Sequence, residues 1–278
     1  LPSIKKPYGK LIRGCLIAPE GYELVGSDMS SLEDRTKQHY MYKFDPEYVE
    51  EMQTDDFDPH LDLAVVAGFL TQEESDSHKR YSEYKNLWKN AVKAGDAELA
   101  EEYKAIWEVE QDFGGERAKA KTANYACVYG ASGSTVARGA NIPVKEGDAL
   151  VKKYWERNWA VDKVAETQRT KTCLNSMWLF NPVSKFWYSL RFEKDRFSTL
   201  NQGTGVYCFD MWIKEFMEVR PQLTGQMHDE VILTVKEGNR DQAEELLRDA
   251  IVKVNEKLKL NRDLDIDVQF GDSYAEIH

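Results

Sequence analysis

Apolar residues near the amino terminus alternate with polar ones in the manner of β-strands. Residues 11–17 and 22–26 carry this pattern, and a Pro-Glu-Gly turn at 19–21 separates them. We therefore expect a β-hairpin that continues into Asp28. Strand patterns recur later in the chain, at 185–188, on both sides of 228–229, and at 266–270.

The middle of the chain, residues 46–178, carries apolar residues at helical spacing instead. Two apolar stripes lie on either side of Gly95 and Asp96, which supply a helix stop and a new helix start. The stripes consist of Tyr81, Tyr84, Trp88 and Val92, and of Leu99, Tyr103, Ile106 and Trp107. This pattern predicts a helical hairpin over about 71–112, with its charged residues on a solvated outer face.

Strands at both ends of the chain with helices between them indicate an α+β fold in which a helical domain interrupts a sheet domain. The sheet is expected to be antiparallel and to carry helices of its own. We expect the sheet domain to comprise residues 1–40 and 190–278, and the helical domain to comprise 41–189.

The segment that follows Asp28 is predicted to be helical. Ser30 and Glu33 have the S-x-x-E spacing of a capping box, so the helix is expected to start there and to end near Lys43. Glu33 therefore has a structural explanation beside any functional one. A later helix is predicted at 242–258.

Composition limits the possible function classes. The chain has 278 residues, of which 42% are hydrophobic, which is enough for a sizeable core. Its four cysteines are scattered without metal-ligand spacing, so we expect free thiols in a reducing cytosol. No apolar run approaches the length of a membrane span, and the residues near Leu1 do not resemble a signal peptide.

The formal net charge of −11 argues at first against a nucleic-acid partner, because phosphates attract basic surfaces. The charge is unevenly distributed, however. Acidic residues concentrate in 45–76 and 229–278, whereas 117–121, Arg138 and 152–157 are locally basic. A basic groove in an acidic protein is therefore compatible with the sequence.

Asp28 and Asp229 are candidate metal ligands at the ends of predicted strands. Each by itself is more typical of a helix cap or a turn. Two carboxylates that lie close together repel each other, and a pair of Mg²⁺ ions roughly 3.5 to 4 Å apart neutralises them and binds the attacking and leaving oxygens of a phosphoryl transfer. The pair therefore predicts a two-metal site for Mg²⁺, or for Mn²⁺ in its place.

A helix is predicted from Arg117 to Tyr129, ended by Gly130. Arg117, Lys121, Tyr125 and Tyr129 recur every four residues and span roughly 18 Å of one helix face. Two cations in the first turns oppose the helix dipole unless an anion binds there, and a triphosphate is such an anion. The alternative is an amphipathic helix with surface cations and core tyrosines.

In this order, the motifs resemble those in the carboxy-terminal part of family A DNA polymerases, the bacterial polymerase I and phage type. Residues 28–35 are similar to the first palm motif, 117–130 to the fingers helix and 228–230 to the second palm motif. Residues 58–60 and 202–204 resemble the stretch with a triphosphate-contacting histidine and the template-facing helix. The resemblance implies a palm interrupted by helical fingers, and template-directed addition of deoxynucleotides to a primer 3′-OH with release of pyrophosphate.

The resemblance also implies roles for individual residues. The metal ligands are Asp28, Asp229 and the backbone carbonyl of Met29. The catalytic residues are Asp28, Asp229, Glu230 and Lys121. The residues that hold the deoxynucleoside triphosphate are Arg117, Lys121, Tyr125, His60, Met29 and Glu33, the last of which excludes a ribose 2′-OH. The residues that contact DNA are Tyr129, Arg35, Gln202 and His228.

The chain departs from the family pattern at several positions. Met29 replaces a frequent aromatic residue, Asp34 an apolar one and Ala126 a glycine. Ser198 stands where the family often carries Asn. The helical hairpin over about 71–112 is an insertion relative to the bacterial form.

The thumb and the proofreading exonuclease of the family are expected to be absent from this chain, so that it is a truncated fragment or half of a split polymerase. His278 fits the usual carboxy-terminal histidine of the family. The implied partners are primer-template DNA, deoxynucleoside triphosphates and a thumb-bearing segment or separate chain, with no membrane. One alternative is a non-catalytic polymerase-like fragment that binds DNA or a partner chain. Another is a single-subunit RNA polymerase, which Glu33 and Tyr125 disfavour because that enzyme needs room at the 2′-OH.

Overall fold

The computed structural model describes Lys6 and residues 8–277, and His278 lies outside the described residues. The chain divides into two compact units. The first unit comprises the described residues up to Lys43 together with those from Gln168 onward, and the second unit is Phe44–Thr167. Residues 168–189, which the sequence analysis assigned to the helical domain, therefore lie with the first unit. The mixture of helices with antiparallel sheets confirms the predicted α+β class.

The first unit is built on a four-stranded antiparallel sheet. Its strands in chain order are β1 (Tyr22–Met29), β5 (Leu223–Met227), β6 (Glu230–Lys236) and β7 (Ile266–Gly271). In space they are ordered β5-β6-β1-β7, so that β1 pairs with β6 on one side and with β7 on the other. The last three strands confirm the strand predictions made for 266–270 and for both sides of 228–229.

One face of this sheet is covered by two long helices. The helices of the first unit are α1 (Gly9–Arg13), α2 (Leu32–Met41), α11 (Arg196–Phe216) and α12 (Arg240–Leu258). Val25 and Leu233 of the sheet pack with Trp212 and Phe216 of α11 in the main core. The indole N–H of Trp212 donates to the carbonyl oxygen of Leu247 at 3.0 Å, which fixes α11 to α12.

The opposite face of the sheet is covered by the end of the chain. Leu24 and Ile232 pack there with Tyr274 and Ile277. Gly26 of β1 is needed for this contact, because a Cβ atom at that position would lie 2.8 Å from the carbonyl oxygen of Ile277. The sheet is therefore buried on both faces over most of its length.

A second, three-stranded antiparallel sheet consists of β2 (Thr170–Cys173), β3 (Ser176–Phe180) and β4 (Trp187–Leu190). The last strand confirms the prediction at 185–188. The first two strands correct the prediction that helix continues to residue 178. Leu174 and Asn175 both take positive φ values, 48° and 61°, so they form the two-residue turn that suits a tight hairpin.

The second unit is helical. Its helices are α3 (Pro46–Glu51), α4 (Pro59–Val66), α5 (Gln72–Ala94), α6 (Ala97–Trp107), α7 (Gly114–Val128), α8 (Gly133–Ala140), α9 (Val144–Arg157) and α10 (Trp159–Thr167). Its core joins α4, α7 and α9 through buried residues that include Leu61, Ala123, Cys127, Leu150 and Tyr154.

The predicted helical hairpin is confirmed as the pair α5 and α6. Thr71 and Glu74 form a capping box at its start. Gly95 ends α5 with φ of 77°, and the carboxylate of Asp96 accepts from the backbone amide of Leu99 to begin α6. The helix end at Gly95 and the helix start at Asp96 therefore both follow from local sequence chemistry.

Two predictions near the amino terminus are wrong. Residues 11–17 do not form a strand, because α1 covers Gly9–Arg13 and Ile17 makes a single isolated bridge to Ser273. Their apolar side chains are largely exposed, so the alternation did not mark a buried face. The capping box at Ser30 also does not form: α2 begins at Leu32, and Ser31 precedes it in the left-handed conformation with φ of 51°.

Candidate active site

The sheet of the first unit brings Asp28 and Asp229 to the same end of neighbouring strands. Asp28 of β1 lies opposite Glu230 of β6 in the strand register. The backbone amide of Met29 donates to the carbonyl oxygen of Asp229 at 3.2 Å, so the pairing extends one residue beyond β6. Strand pairing thus fixes the distance between residues that are remote in sequence.

Asp229 lies in the tight turn between β5 and β6. His228 occupies the first central position of the turn with φ of 59°, a value that few residues other than glycine adopt. Its imidazole Nδ1 lies 3.0 Å from a carboxylate oxygen of Asp229, and 86% of the His228 side chain is exposed. The strained turn therefore directs both side chains away from the core of the sheet.

A fourth carboxylate, from Asp267, belongs to the same cluster and was missed by the sequence analysis. Asp267 of β7 lies opposite Asp28 on the side of β1 away from Glu230. Side chains directly opposite in antiparallel strands project from the same face, so Asp28, Glu230 and Asp267 share one face. The signal was present in the strand Ile-Asp-Val-Gln-Phe, where alternation places Asp267 on the face away from the main core.

The surroundings of Asp28 disfavour its negative charge. Burial raises the pKa of the Asp28 carboxyl group, and the charges of Asp267, Asp229 and Glu230 raise it further. A bound cation would relieve this repulsion.

Glu230 is the most enclosed of the acidic residues in this cluster, with 5% of its surface exposed. The hydroxyl group of Tyr274 donates to its carboxylate at 2.7 Å. Burial and this contact raise the pKa of Tyr274 to about 12, so the phenol stays protonated as a donor. The guanidinium of Arg13 lies 4.7 Å from the centre of the Tyr274 ring. Residues from both ends of the chain therefore hold Glu230 in place.

The turn between β1 and α2 is held by the segment that precedes β7. The backbone amide of Ser30 donates to the carbonyl oxygen of Asp265 at 2.9 Å, and its hydroxyl group donates to the carboxylate of Asp267 at 3.0 Å. Arg35 donates through Nε to the carbonyl oxygen of Ser30 at 2.8 Å, and another of its nitrogens lies 3.5 Å from Asp265. Arg35 thus fixes the turn that carries the Met29 carbonyl, while its contact with DNA stays a prediction.

The donor set suits Mg²⁺, although it is not a closed cage. Within the part of the chain that the structure describes, no group of three or more His, Cys, Asp or Glu side chains is arranged to hold a metal ion. Mg²⁺ commonly keeps several waters and binds through one or two carboxylates together with substrate phosphates. Asp28, Asp229 and the Met29 carbonyl are hard oxygen donors of that kind, so the residues present fit the ion.

The second unit carries the other predicted group of residues, on α7. The side chains of Lys121 and Tyr125 on α7, and of Tyr129 directly after it, are exposed. Solvent reaches 55% of the surface of Tyr125 and 43% of that of Tyr129. The ammonium nitrogen of Lys121 lies 5.8 Å from the centre of the Tyr125 ring. Gly130 follows with φ of 69°, as expected for the end of this helix. The core-tyrosine alternative is therefore wrong for both tyrosines.

Arg117, at the start of α7, pairs with Asp58 at the start of α4. Its Nε donates to the Asp58 carboxylate at 2.7 Å. Burial alone raises the pKa of Asp58, but the hydrogen bond from Arg117 and those from the backbone amides of Leu61 and His60 outweigh it and lower the pKa. This ion pair, which the sequence analysis missed, fixes Arg117 beside the start of α4, which carries His60.

His60 lies next to the exposed side of α7. Its ring centre is 5.7 Å from that of Tyr125, and its Nδ1 lies 3.1 Å from the amide nitrogen of Asn124. The same Asn124 nitrogen donates to the carbonyl oxygen of Pro59 at 2.8 Å. The structure therefore brings together His60, Tyr125 and Lys121, as the sequence analysis expected, and it identifies Asn124 as the residue that holds His60.

Gln202 is exposed on α11, and its neighbours fix that helix to α2 and to the second sheet. The side-chain amide of Asn201 donates to the backbone carbonyl oxygen of Glu33 at 2.8 Å. The ring of Tyr188 packs so closely on Gly203 that a Cβ atom there would lie 2.9 Å from it. Glu33 and Gln202 are therefore carried by two helices that are linked directly to each other.

Comparison with known proteins identifies the family of this chain. The sequence profile of DNA polymerase family A matches residues 81–276, which include α7 and the turn at Asp229. The chain therefore belongs to DNA polymerase family A. It is 22% identical over 288 residues to the thermostable DNA polymerase I of Thermus filiformis. It also resembles, with a TM-score of 0.66 and 18% identity, a structure described as the POL domain of Pol1 from M. smegmatis in complex with DNA primer-template and dNTP.

These similarities cover nearly all of this chain and a smaller part of each relative. The alignment to the Thermus polymerase includes 98% of this chain and 29% of that protein. The structural match includes 99% of this chain and 44% of the other chain. Among the described residues, no helix is both long and apolar enough to cross a membrane. All four cysteines are free, as predicted.

Proposed function

We propose that this chain carries the nucleotidyl-transfer site of a DNA-directed DNA polymerase. The observation that carries the proposal is the pairing of β1 with β6, which places Asp28 and Asp229 at one end of adjacent strands. Membership of DNA polymerase family A supports the same conclusion. The reaction is the addition of a deoxynucleotide to a primer 3′-OH with release of pyrophosphate.

In this proposal the two compact units correspond to the palm and the fingers. The sheet unit is the palm and holds Asp28, Asp229 and Glu230. The helical unit Phe44–Thr167 is the fingers and carries Lys121 and Tyr125 on α7. The substrates are primer-template DNA and deoxynucleoside triphosphates, the ligands named for the related mycobacterial structure.

Two Mg²⁺ ions, when bound, would lower the pKa of the primer hydroxyl group and stabilise the charge that develops on the leaving pyrophosphate. Asp28, Asp229 and the carbonyl oxygen of Met29 would hold them. Glu230, fixed by the hydroxyl group of Tyr274, lies beside this site and takes no part in the bond changes. The strand register sets the spacing of these oxygens before any substrate binds, which is the preorganisation that electrostatic catalysis requires.

The residues of the helical unit bind the triphosphate. Arg117 and Lys121 supply positive charge for its phosphates, and His60 lies beside the same helix face. Tyr125 offers an exposed ring for stacking under the sugar and base. Lys121 is also the residue that offsets negative charge as the α-phosphate is attacked.

Primer extension tests the proposal, with the chain assayed by itself and within a complete family A polymerase polypeptide. Asp229→Asn is expected to reduce extension by at least about 10³-fold, the scale of removing a preorganised electrostatic group. Asp241→Asn, which changes an exposed carboxylate at the start of α12, is the matched control and should extend normally. Normal extension by Asp229→Asn would refute the proposed site.

Folding of the variants is checked by thermal unfolding in metal-free buffer. Because the pKa of Asp28 is raised in the folded state, its ionisation opposes folding, and stability is lost as the pH rises from the ordinary pKa of a carboxyl group through the raised one. Asp28→Asn should therefore unfold at a higher temperature than the parent at pH 7. Loss of extension together with this gain in stability separates a functional defect from a folding defect.

A further inference from the structure

The outward face of the second sheet, formed by β2, β3 and β4, has an unusual composition. Its other face is covered, because Leu179 and Leu190 are buried and Tyr188 packs on α11. A sheet with one covered face normally presents polar side chains on the open face. Here the open face carries three aromatic rings together with two cations.

Strand register defines this open face. Phe180 lies opposite Trp187, Trp178 lies opposite Ser189, and Lys171 lies opposite Trp178. The backbone of Arg169 pairs with that of Phe180 at the same edge. We call the set Arg169, Lys171, Trp178, Phe180 and Trp187 the aromatic face.

The cations of the aromatic face lie directly over its rings. The ammonium nitrogen of Lys171 is 4.0 Å from the centre of the Trp187 ring, and the guanidinium of Arg169 is 5.2 Å from the same centre. Phe180 and Trp187 are in contact, with ring centres 5.3 Å apart. Arg169 and Lys171 are exposed, and the three rings are half-buried. Positive charge and ring surface are therefore presented together.

The charge of this segment contrasts with that of the chain. Residues 169–191 contain four cations, namely Arg169, Lys171, Lys185 and Arg191, and not one Asp or Glu. The chain as a whole has 48 acidic residues among 278, so a segment of that length would hold about four at average composition. A local charge of +4 in a protein of −11 indicates an anionic partner.

We propose that the aromatic face binds single-stranded DNA. Proteins that hold single strands without sequence preference combine cations that contact the backbone phosphates with aromatic rings on which bases stack. Duplex DNA offers phosphates but no accessible base faces, so the rings select the single strand. The inference rests on the proposed function, because the strand held there is the unpaired template of the polymerase reaction.

The test is equilibrium binding of a fluorescently labelled 12-nucleotide oligo(dT) and of a 12-base-pair duplex, followed by anisotropy. The parent should prefer the single strand. Trp178→Leu, which keeps an apolar side chain but removes the ring, should weaken oligo(dT) binding roughly 5- to 100-fold, the range measured for loss of one stacking residue. Lys171→Glu should weaken it at least about tenfold and should reduce its salt dependence.

Lys253→Glu is the matched control, because it makes the same charge change at an exposed lysine of α12. It should bind oligo(dT) as the parent does. Equal loss in Lys253→Glu and Lys171→Glu, parental affinity in Trp178→Leu, or a preference of the parent for duplex would each overturn the proposal.

The assay is independent of catalysis. Asp229→Asn should bind oligo(dT) with parental affinity even though extension is lost. If the aromatic-face variants bind normally while primer extension depends on Asp229, the single-strand surface is wrong and the proposed function stands. If oligo(dT) binding depends on the aromatic face while Asp229→Asn extends primers normally, the catalytic assignment fails instead.

Discussion

The two units of this protein hold their functional residues in opposite ways. In the sheet unit, Asp28 and Glu230 are placed by strand register and are partly or fully buried. In the helical unit, the side chains of Lys121 and Tyr125 project from α7 and are exposed. One site is negatively charged and rigid, whereas the other is positively charged and exposed.

This difference follows from what each site is proposed to bind. Burial of Asp28 and the charges of its acidic neighbours both raise its pKa, so the arrangement favours a small bound cation. The exposed face of α7 presents a cation and a flat ring, which suit a larger anion such as a nucleotide. Single side chains in the exposed site act with few partners, so each of them can be tested by one substitution.

Within the helical unit, the largest effect is expected for Lys121→Ala. Removal of its charge should reduce single-nucleotide incorporation about 10²- to 10³-fold, because one preorganised charge near the reacting phosphate is lost. The matched control is Lys119→Ala, which removes a cation two residues away on the same helix that pairs with Glu116. Pre-steady-state kinetics measure the incorporation rate of both variants. Similar losses in the two would show that the rate depends on the total positive charge of α7 and not on the position of Lys121.

Tyr125→Phe should raise discrimination against 2′,3′-dideoxynucleotides by roughly one to two orders of magnitude. The phenol hydroxyl can replace a hydrogen bond that the missing 3′-OH would have made, worth about 0.5 to 1.5 kcal/mol or more when charge-assisted. Incorporation of normal deoxynucleotides should hardly change, because Phe keeps the stacking surface. Unaltered dideoxynucleotide use by the variant would mean that Tyr125 does not face the sugar.

Glu33→Ala should increase ribonucleotide incorporation at least about tenfold relative to deoxynucleotide incorporation, because it removes a group that collides with the 2′-OH. The structure sharpens this test. Since the capping box between Ser30 and Glu33 does not form, the variant should not show the loss of about 0.5 to 2 kcal/mol that a broken cap would cause. A marked fall in melting temperature with unchanged sugar selectivity would show that Glu33 is structural.

The smallest effect is expected for shortening the α5–α6 hairpin. Its base must be kept, because His78 accepts a hydrogen bond from the backbone amide of Phe113, the residue before α7. Replacement of 82–105 by a short Gly/Ser bridge should leave single-nucleotide addition within about twofold of the parent, since the hairpin is distant in sequence from Asp28 and Asp229. The matched variant His78→Ala should disturb incorporation more than the shortened hairpin does. The reverse order would place the hairpin tip in the active site.

Local chemistry predicted the parts of the fold that depend on near neighbours. The hairpin at Gly95 and Asp96, the end of α7 at Gly130 and the strand at 266–270 all follow from caps and alternation. The pairing of Asp28 with Asp229 was predicted from the motifs, and its geometry depends on β1 lying between β6 and β7.

What the sequence analysis missed depends on contacts between remote residues. Asp267 joins the acidic cluster only through the pairing of β7 with β1. Asp58 and Arg117 form their ion pair across 59 residues, and Arg35 reaches the segment before β7. The hairpin of β2 and β3 was obscured because its turn places Leu174, an uncommon residue for that role, at positive φ.

The central claim, that Asp28 and Asp229 share bound metal, is tested most directly by a double-mutant cycle on Mn²⁺ affinity. Binding is measured by electron paramagnetic resonance for the parent, Asp28→Asn, Asp229→Asn and the double variant, with Asp241→Asn as control. Each single variant should lose at least about tenfold in affinity, and the double variant should lose little more than either, because ligands of one site are strongly coupled. Parental affinity in both single variants, or losses that simply add, would contradict the account.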